Sequence, residues 1–169
     1  MSTNIGFIRH SAFGWIIHQK IISTGDTYTV KLTSDTDGPN LGNITLVTKG
    51  YITGVNRATS ESVVDRIPGY TNKDRVNLLA GTYDFIAKKD SEWWCINKRI
   101  NKDKLPNVDI FLASTGQIIE LPVNTKLLLC EGSLSVGHIQ YDSPQAFEVS
   151  SQETVFVAGS QCYGFIFKE

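Results

Sequence analysis

Polar and apolar residues alternate along much of the chain. The clearest run is Thr27-Tyr28-Thr29-Val30-Lys31-Leu32-Thr33, and Lys126 to Leu129, Ser133 to Val136 and Phe147-Glu148-Val149 contribute shorter ones. Val155-Phe156-Val157 and Phe165-Ile166-Phe167 are apolar runs of strand length. A period of two in residues rich in Val, Ile, Thr, Tyr and Phe predicts half-buried β-strands. Turn residues interrupt the runs at short intervals, as at Thr24-Gly25-Asp26, Lys49-Gly50, Pro68-Gly69, Thr115-Gly116 and Glu131-Gly132. Many short strands between such turns predict a sandwich or barrel. Helical periodicity is scarce, and Asn72 to Leu79, with Asn72 as its cap, is the one short helix the pattern allows.

Three landmarks recur in the same order. Ser23-Thr24-Gly25 returns as Ser114-Thr115-Gly116, and the strand-turn-strand around Gly50 returns around Gly132. Phe85-Ile86-Ala87 returns as Phe156-Val157-Ala158. The separations are 91 (114 − 23), 82 (132 − 50) and 71 (156 − 85), so the first copy is the longer. Its extra residues fall in the polar turn Ser34 to Gly42 and between Asn56 and Leu79, the latter without a counterpart in the second copy. Insertions of this kind map to surface loops, because a buried loop strands backbone polar groups. The pattern predicts an all-β chain of two tandem barrel or jelly-roll repeats in one compact unit. The repeats run over about 14–97 and 104–168 with about seven strands each, and the domains are 1–100 and 101–169.

Composition narrows the function classes. With 169 residues, 41% hydrophobic and 20% charged, the chain can bury an ordinary globular core. Sixteen basic against 17 acidic residues give a net charge of −1, which disfavours a nucleic-acid partner. The cluster Lys88, Lys89, Lys98, Arg99, Lys102 and Lys104 is interleaved with acids and reads as a solvated mixed-charge face. Three cysteines without a CxxC pair argue against a disulfide framework or zinc site and suit a reducing compartment. Neither a signal peptide nor an apolar run of membrane-spanning length is visible, so a cytoplasmic location without membrane attachment is expected.

The residues also carry a family resemblance. Leu128-Leu129-Cys130-Glu131-Gly132-Ser133-Leu134-Ser135-Val136 resembles the close of the first cupin motif. Glu153 to Tyr163 resembles the second, and Leu46 to Gly54 and Gly81 to Asn97 echo both. The chain thus resembles a compact bicupin. Metal-binding cupins use two His and a Glu from the first motif and a His from the second. Here the Glu position holds Asn43 or a neighbour, and Thr125 in the second copy. The second-motif His falls on Glu92 or Trp93, and on Tyr163. The resemblance is therefore to a degenerate, metal-free cupin, with no cofactor expected. His10, His18 and His138 show no metal-binding spacing, and GxSxG, P-loop and GxGxxG motifs are absent. An Asp84/Glu92 carboxylate pair across a hairpin reads as solvated rim charge rather than as a catalytic couple.

Two features remain as candidate binding sites. Trp93 and Trp94 are neighbours on a presumed strand, so one points inward as core and the other outward. The outward one either contacts a protein or sugar or packs beneath a loop. The segment 56–75 carries Arg57, Arg66 and Arg75, cations suited to phosphate or other oxyanions. It is either a tolerated insertion or a loop that grips a neighbour or covers the first barrel mouth.

Three functions fit these residues. The first is a non-enzymatic assembly module forming a homo-oligomer or joining other subunits. In style it resembles tailed-phage components, which implies the host cytoplasm or the virion. The second is a small-molecule binder, for instance a phage-encoded sponge for a nucleotide, or a sugar binder. The third is a metal-independent cupin-type sugar epimerase using His138 with Tyr141, or His18 with Tyr28.

Overall fold

The computed structural model describes residues 5–32, 44–71, 80–96, 107–150 and 154–168. The candidate helix Asn72 to Leu79, the turn Ser34 to Gly42 and Arg75 lie outside these residues. Sixteen strands, and no helix, are found among the described residues. By contact density the chain divides into two units, residues 1–11 with 15–105, and residues 12–14 with 106–169.

The first unit holds β1 (Ile5–Ala12), β2 (Trp15–Ile22), β3 (Thr27–Leu32), β4 (Ile44–Lys49), β5 (Ile52–Asn56), β6 (Ser62–Arg66), β7 (Gly81–Ala87) and β8 (Ser91–Ile96). They form two four-stranded sheets, ordered β1-β2-β8-β4 and β3-β7-β5-β6. The second unit holds β9 (Val108–Ala113), β10 (Ile118–Glu120), β11 (Lys126–Glu131), β12 (Ser133–Val136), β13 (Ile139–Asp142), β14 (Gln145–Glu148), β15 (Val155–Ala158) and β16 (Cys162–Phe167). Its sheets are ordered β14-β11-β16-β9 and β10-β15-β12-β13. Every ladder is antiparallel, the pattern of a jelly-roll sandwich.

The two units repeat each other residue by residue. Ile22 pairs with Ser91 in the first and Ala113 with Cys162 in the second, separated by the same 91 and 71 positions. Thr27 with Ile86 matches Ile118 with Val157. Ile52 with Ala87 matches Leu134 with Ala158. The bulge between Val47 and Lys49 recurs between Leu129 and Glu131. Turn hydrogen bonds recur as well: Gly25 N donates to Ala87 O at 2.8 Å, and Gly116 N to Ala158 O at 2.7 Å.

One sequence expectation is corrected here. Part of the 56–75 segment has a counterpart. β6 matches β13, because Ile52 pairs with Arg66 as Leu134 pairs with Tyr141. The bridge of Leu46 to Thr71 matches the β11–β14 pairing of Leu128 with Ala146. Both correspondences sit at a separation of 75 (141 − 66 and 146 − 71), between the 82 and 71 of their neighbours. Edge strands share few side-chain demands, so the match survives in the ladder and not in the residue types.

Each unit carries its own core between its sheets. In the first it includes Ile22, Val47, Tyr83, Phe85, Trp93 and Cys95. In the second it includes Phe111, Leu127, Leu129, Leu134, Phe147 and Phe156.

Candidate functional site

The interior of the first unit contains a small void lined by Tyr28 on β3, Thr45 and Val47 on β4, Ile52 on β5, Arg66 on β6, Phe85 on β7 and Trp93 on β8. Six strands therefore contribute to one spot. The void measures about 10 Å³, room for roughly one water molecule. Its polar groups arise from the strand period. Arg66 is the Cα partner of Ile52, a core residue, so its side chain leaves β6 on the interior face.

Arg66 is held by aromatic rings. Its guanidinium carbon lies 4.1 Å from the centre of the Phe85 ring and 5.2 Å from that of Tyr70. Such contacts are worth about 0.5–2 kcal/mol each, more as water is excluded. Gly54 stands directly opposite Phe85 in the ladder. The Arg66 Nε is buried and has no hydrogen-bond partner. A buried donor left unmade costs about 1–3 kcal/mol, so this atom is a standing demand for an acceptor.

Neighbouring groups add to the polarity. Tyr28 stacks on Phe85 and tilts against Trp93, with ring centres 5.8 and 5.7 Å apart. Burial pushes the Tyr28 phenol up, the Cys95 thiol adds to that, and Arg66 opposes both. Thr45 Oγ1 lies 3.5 Å from Cys95 Sγ. Burial also pushes the Cys95 thiol up, while Thr45, Lys20, Trp93 and Arg66 pull it down.

The second unit has the same positions filled differently. Tyr28 corresponds to Ile119. Thr45 corresponds to Leu127, and Cys95 to Ile166. Gly54 corresponds to Val136, two residues along from the Ile52–Leu134 match, and Arg66 to Tyr141. Tyr141 stacks on Phe147 with ring centres 3.9 Å apart, and Ile119, Tyr141 and Ile166 all pack on that core. One interior is polar around a cation, and the other is filled with hydrocarbon.

The remaining candidates fall elsewhere. Trp93 lines the void, whereas Trp94 is on the opposite face of β8 and is 0% exposed, with His10 stacked on it at 4.7 Å. Of the two alternatives for the outward tryptophan, Trp94 is the packed one: β8 is an inner strand buried on both faces. The run Trp93-Trp94-Cys95-Ile96, apolar without alternation, is the signal that carried this. Arg57 grips Asp84 through Nε at 2.9 Å and Nη2 at 2.6 Å on the surface, and Asp84 also accepts from Thr29. Asp84 and Glu92 do not meet as a pair. Glu92 is buried and accepts from Gln19 Nε2 at 2.6 Å and Thr48 Oγ1 at 2.9 Å. His18 lies tilted against Phe7 while Tyr28 stacks on Phe85, and His138 lies in an exposed turn while Tyr141 is in the core stack.

Among the described residues no three His, Cys, Asp or Glu side chains converge as a metal site would require. No helix among them is long and apolar enough to cross a membrane. The second unit bears an open depression of about 820 Å³ beside the Leu121–Lys126 turn, with the Asp109–Lys168 ion pair on its rim. It has no buried unpartnered group like Arg66 Nε among the described residues.

No family model matches the sequence, and no curated protein does. Solved structures similar to the chain include the cupin 2 conserved barrel domain protein from Leptotrichia buccalis, at 7% identity and TM-score 0.46, covering 100% of this chain and 91% of that one. AerE from Microcystis aeruginosa is similar at 7% identity and TM-score 0.47, over 100% and 95% of the two chains. HutD from Pseudomonas fluorescens SBW25 is similar at 8% identity and TM-score 0.49, over 94% and 84%.

Proposed function

We propose that the chain is a small-molecule-binding protein whose first unit holds an oxyanion-bearing ligand at Arg66, and whose second unit is a filled copy that serves structure. The observation that carries this is the buried Arg66 Nε, fixed between Phe85 and Tyr70 and lacking an acceptor. Guanidinium suits carboxylate, phosphate and sulfate oxygens, and a site of low dielectric strengthens such a bond. The void has room for one terminal oxygen at the present side-chain positions.

Calorimetric titration with sodium sulfate tests it. Saturable binding at one equivalent per chain is expected, with loss in Arg66→Met. It is lost equally in Gly54→Val, which keeps every charge but fills the seat of the guanidinium as Val136 does in the second unit. Binding that survives both substitutions defeats the proposal. Sulfate also stabilises folded states by exclusion from the surface, so the difference between wild type and Arg66→Met is the readout.

A separate observation favours self-association. On the outer sheet of the second unit Ile118, Val155 and Val157 are 71%, 52% and 42% exposed and lie on one face. The first unit has Thr27, Asp84 and a half-buried Ile86 at these positions. An exposed apolar stripe of this kind fits an interface between copies of the chain, and the virion role belongs with it. Native mass spectrometry would return a defined oligomer that Ile118→Lys with Val157→Lys dissolves. A wild-type monomer at all concentrations would end this reading.

A further inference from the structure

The interior of the first unit holds a second cation. Lys20 is the Cα partner of Trp93 in the β2–β8 ladder, and two residues along the same strand Ile22 belongs to the core. Lys20 therefore leaves β2 on the interior face, half-buried, on the Trp93 side of the sheet. Trp93, the ladder partner of Lys20, lines the void together with Arg66, which comes from the other sheet.

The nearby acids turn away. No carboxylate lines the void among the described residues. Asp84 is engaged outside by Arg57 and Thr29, and Asp65 by the Tyr51 hydroxyl. Glu92 lies on the other face of β8 with Gln19 and Thr48. In the second unit the Lys20–Trp93 ladder pair becomes Phe111–Gly164 and Arg66 becomes Tyr141, so neither cation is kept. Two positive charges on one interior face, absent together from the filled copy, point to a ligand that brings two negative ones.

Resting on the binding function proposed above, we infer that the ligand of the first unit is a small dianion, of the phosphate-ester or compact dicarboxylate kind. Arg66 holds its inserted oxygen and Lys20 neutralises its second charge. The arginine, clamped by rings, sets position, and the flexible ammonium sets charge preference.

The test compares sulfate, phosphate, malonate and acetate by calorimetric titration at one ionic strength, on wild type, Lys20→Met, Lys20→Arg and Arg66→Met. Wild type should bind the dianions at least about tenfold more tightly than acetate, the scale of one added charge-assisted contact. Lys20→Met should erase that preference, and Lys20→Arg should keep it. Phosphate and sulfate tighter than malonate would identify the phosphate-ester kind, and the reverse order the dicarboxylate kind. A preference unchanged in Lys20→Met, or no preference in wild type, overturns the dianion assignment, while loss in Arg66→Met still upholds the binding site. Binding to no anion, or to Arg66→Met as to wild type, overturns the site itself.

Discussion

Arg66 and Tyr141 occupy one position in two copies of the same ladder, each opposite a fully interior aliphatic residue, Ile52 and Leu134. The phenol of Tyr141 closes its interior by stacking on Phe147, whereas the guanidinium of Arg66 opens one by leaving Nε without an acceptor. The pairing at this position is shared, although the β5–β6 ladder is bulged between Thr53 and Val55 where the β12–β13 ladder is regular. Four further positions around it, Tyr28/Ile119, Thr45/Leu127, Gly54/Val136 and Cys95/Ile166, go from polar or small to apolar bulk, while Trp93 goes the other way, to Gly164.

A residue kept for binding should cost the free protein little when removed. Arg66→Met deletes ring contacts worth about 0.5–2 kcal/mol and relieves an unmade hydrogen bond worth about 1–3 kcal/mol. The ligand-free variant should match wild type within about 1 kcal/mol in urea denaturation. A loss above about 2 kcal/mol would assign Arg66 to the fold.

Gly50 and Gly132 hold matching turns at φ of 90° and 98°. A Cβ at Gly50 would lie 2.6 Å from Asp90 O, and one at Gly132 would lie 2.8 Å from Cys162 Sγ. Alanine at either site should destabilise by about 1–3 kcal/mol from the backbone conformation alone, and more from the contact. Equal effects at the two sites, measured by the shift in urea midpoint, would show that the repeat is energetic as well as geometric.

The buried carboxylate of Glu92 depends on Thr48 and Gln19. Thr48→Val keeps the shape and removes one donor, and should cost about 1–3 kcal/mol. Thr48→Ser should recover most of the loss, which a purely steric role for Thr48 would not produce.

Arg57 holds the Asp84 carboxyl below its usual value of 3.8, helped by Thr29. A depressed carboxylate contributes stability that is complete above 3.8. That contribution is lost as pH falls through the lower folded-state value, because the unfolded chain takes up the proton first. The pair is exposed and screened by solvent, so the contribution is small. Asp84→Asn should therefore lower stability slightly at pH 6 and flatten its decline below about pH 4. An unchanged acid limb would show that Asp84 plays no part in it.

The repeat was legible where glycine turns and apolar triplets anchor it, because Gly50, Gly132, Phe85 and Phe156 meet the same physical demand in both copies. It was illegible at β6, where one copy needs a cation and the other a ring, so residue likeness vanished while hydrogen-bond pairing persisted. The three arginines singled out from sequence separated by strand face. Arg57 points outward to Asp84, Arg66 points inward, and Arg75 lies outside the described residues. Lys20 was passed over, because a lysine in a run of mixed polarity looks solvated until its ladder partner is known to be Trp93. The space beside Phe85 could not be read at all, since it depends on Gly54 facing that ring across the ladder.

The buried Nε–H of Arg66 offers the most direct measurement. Its cross-peak in a proton–nitrogen NMR spectrum, assigned by its absence from Arg66→Lys, should move with saturation as sulfate is added. Amides of the second unit's interior should stay in place. An Arg66 peak that does not shift at sulfate concentrations saturating the chain, or equal movement in both interiors, would contradict the assignment of binding to the first unit.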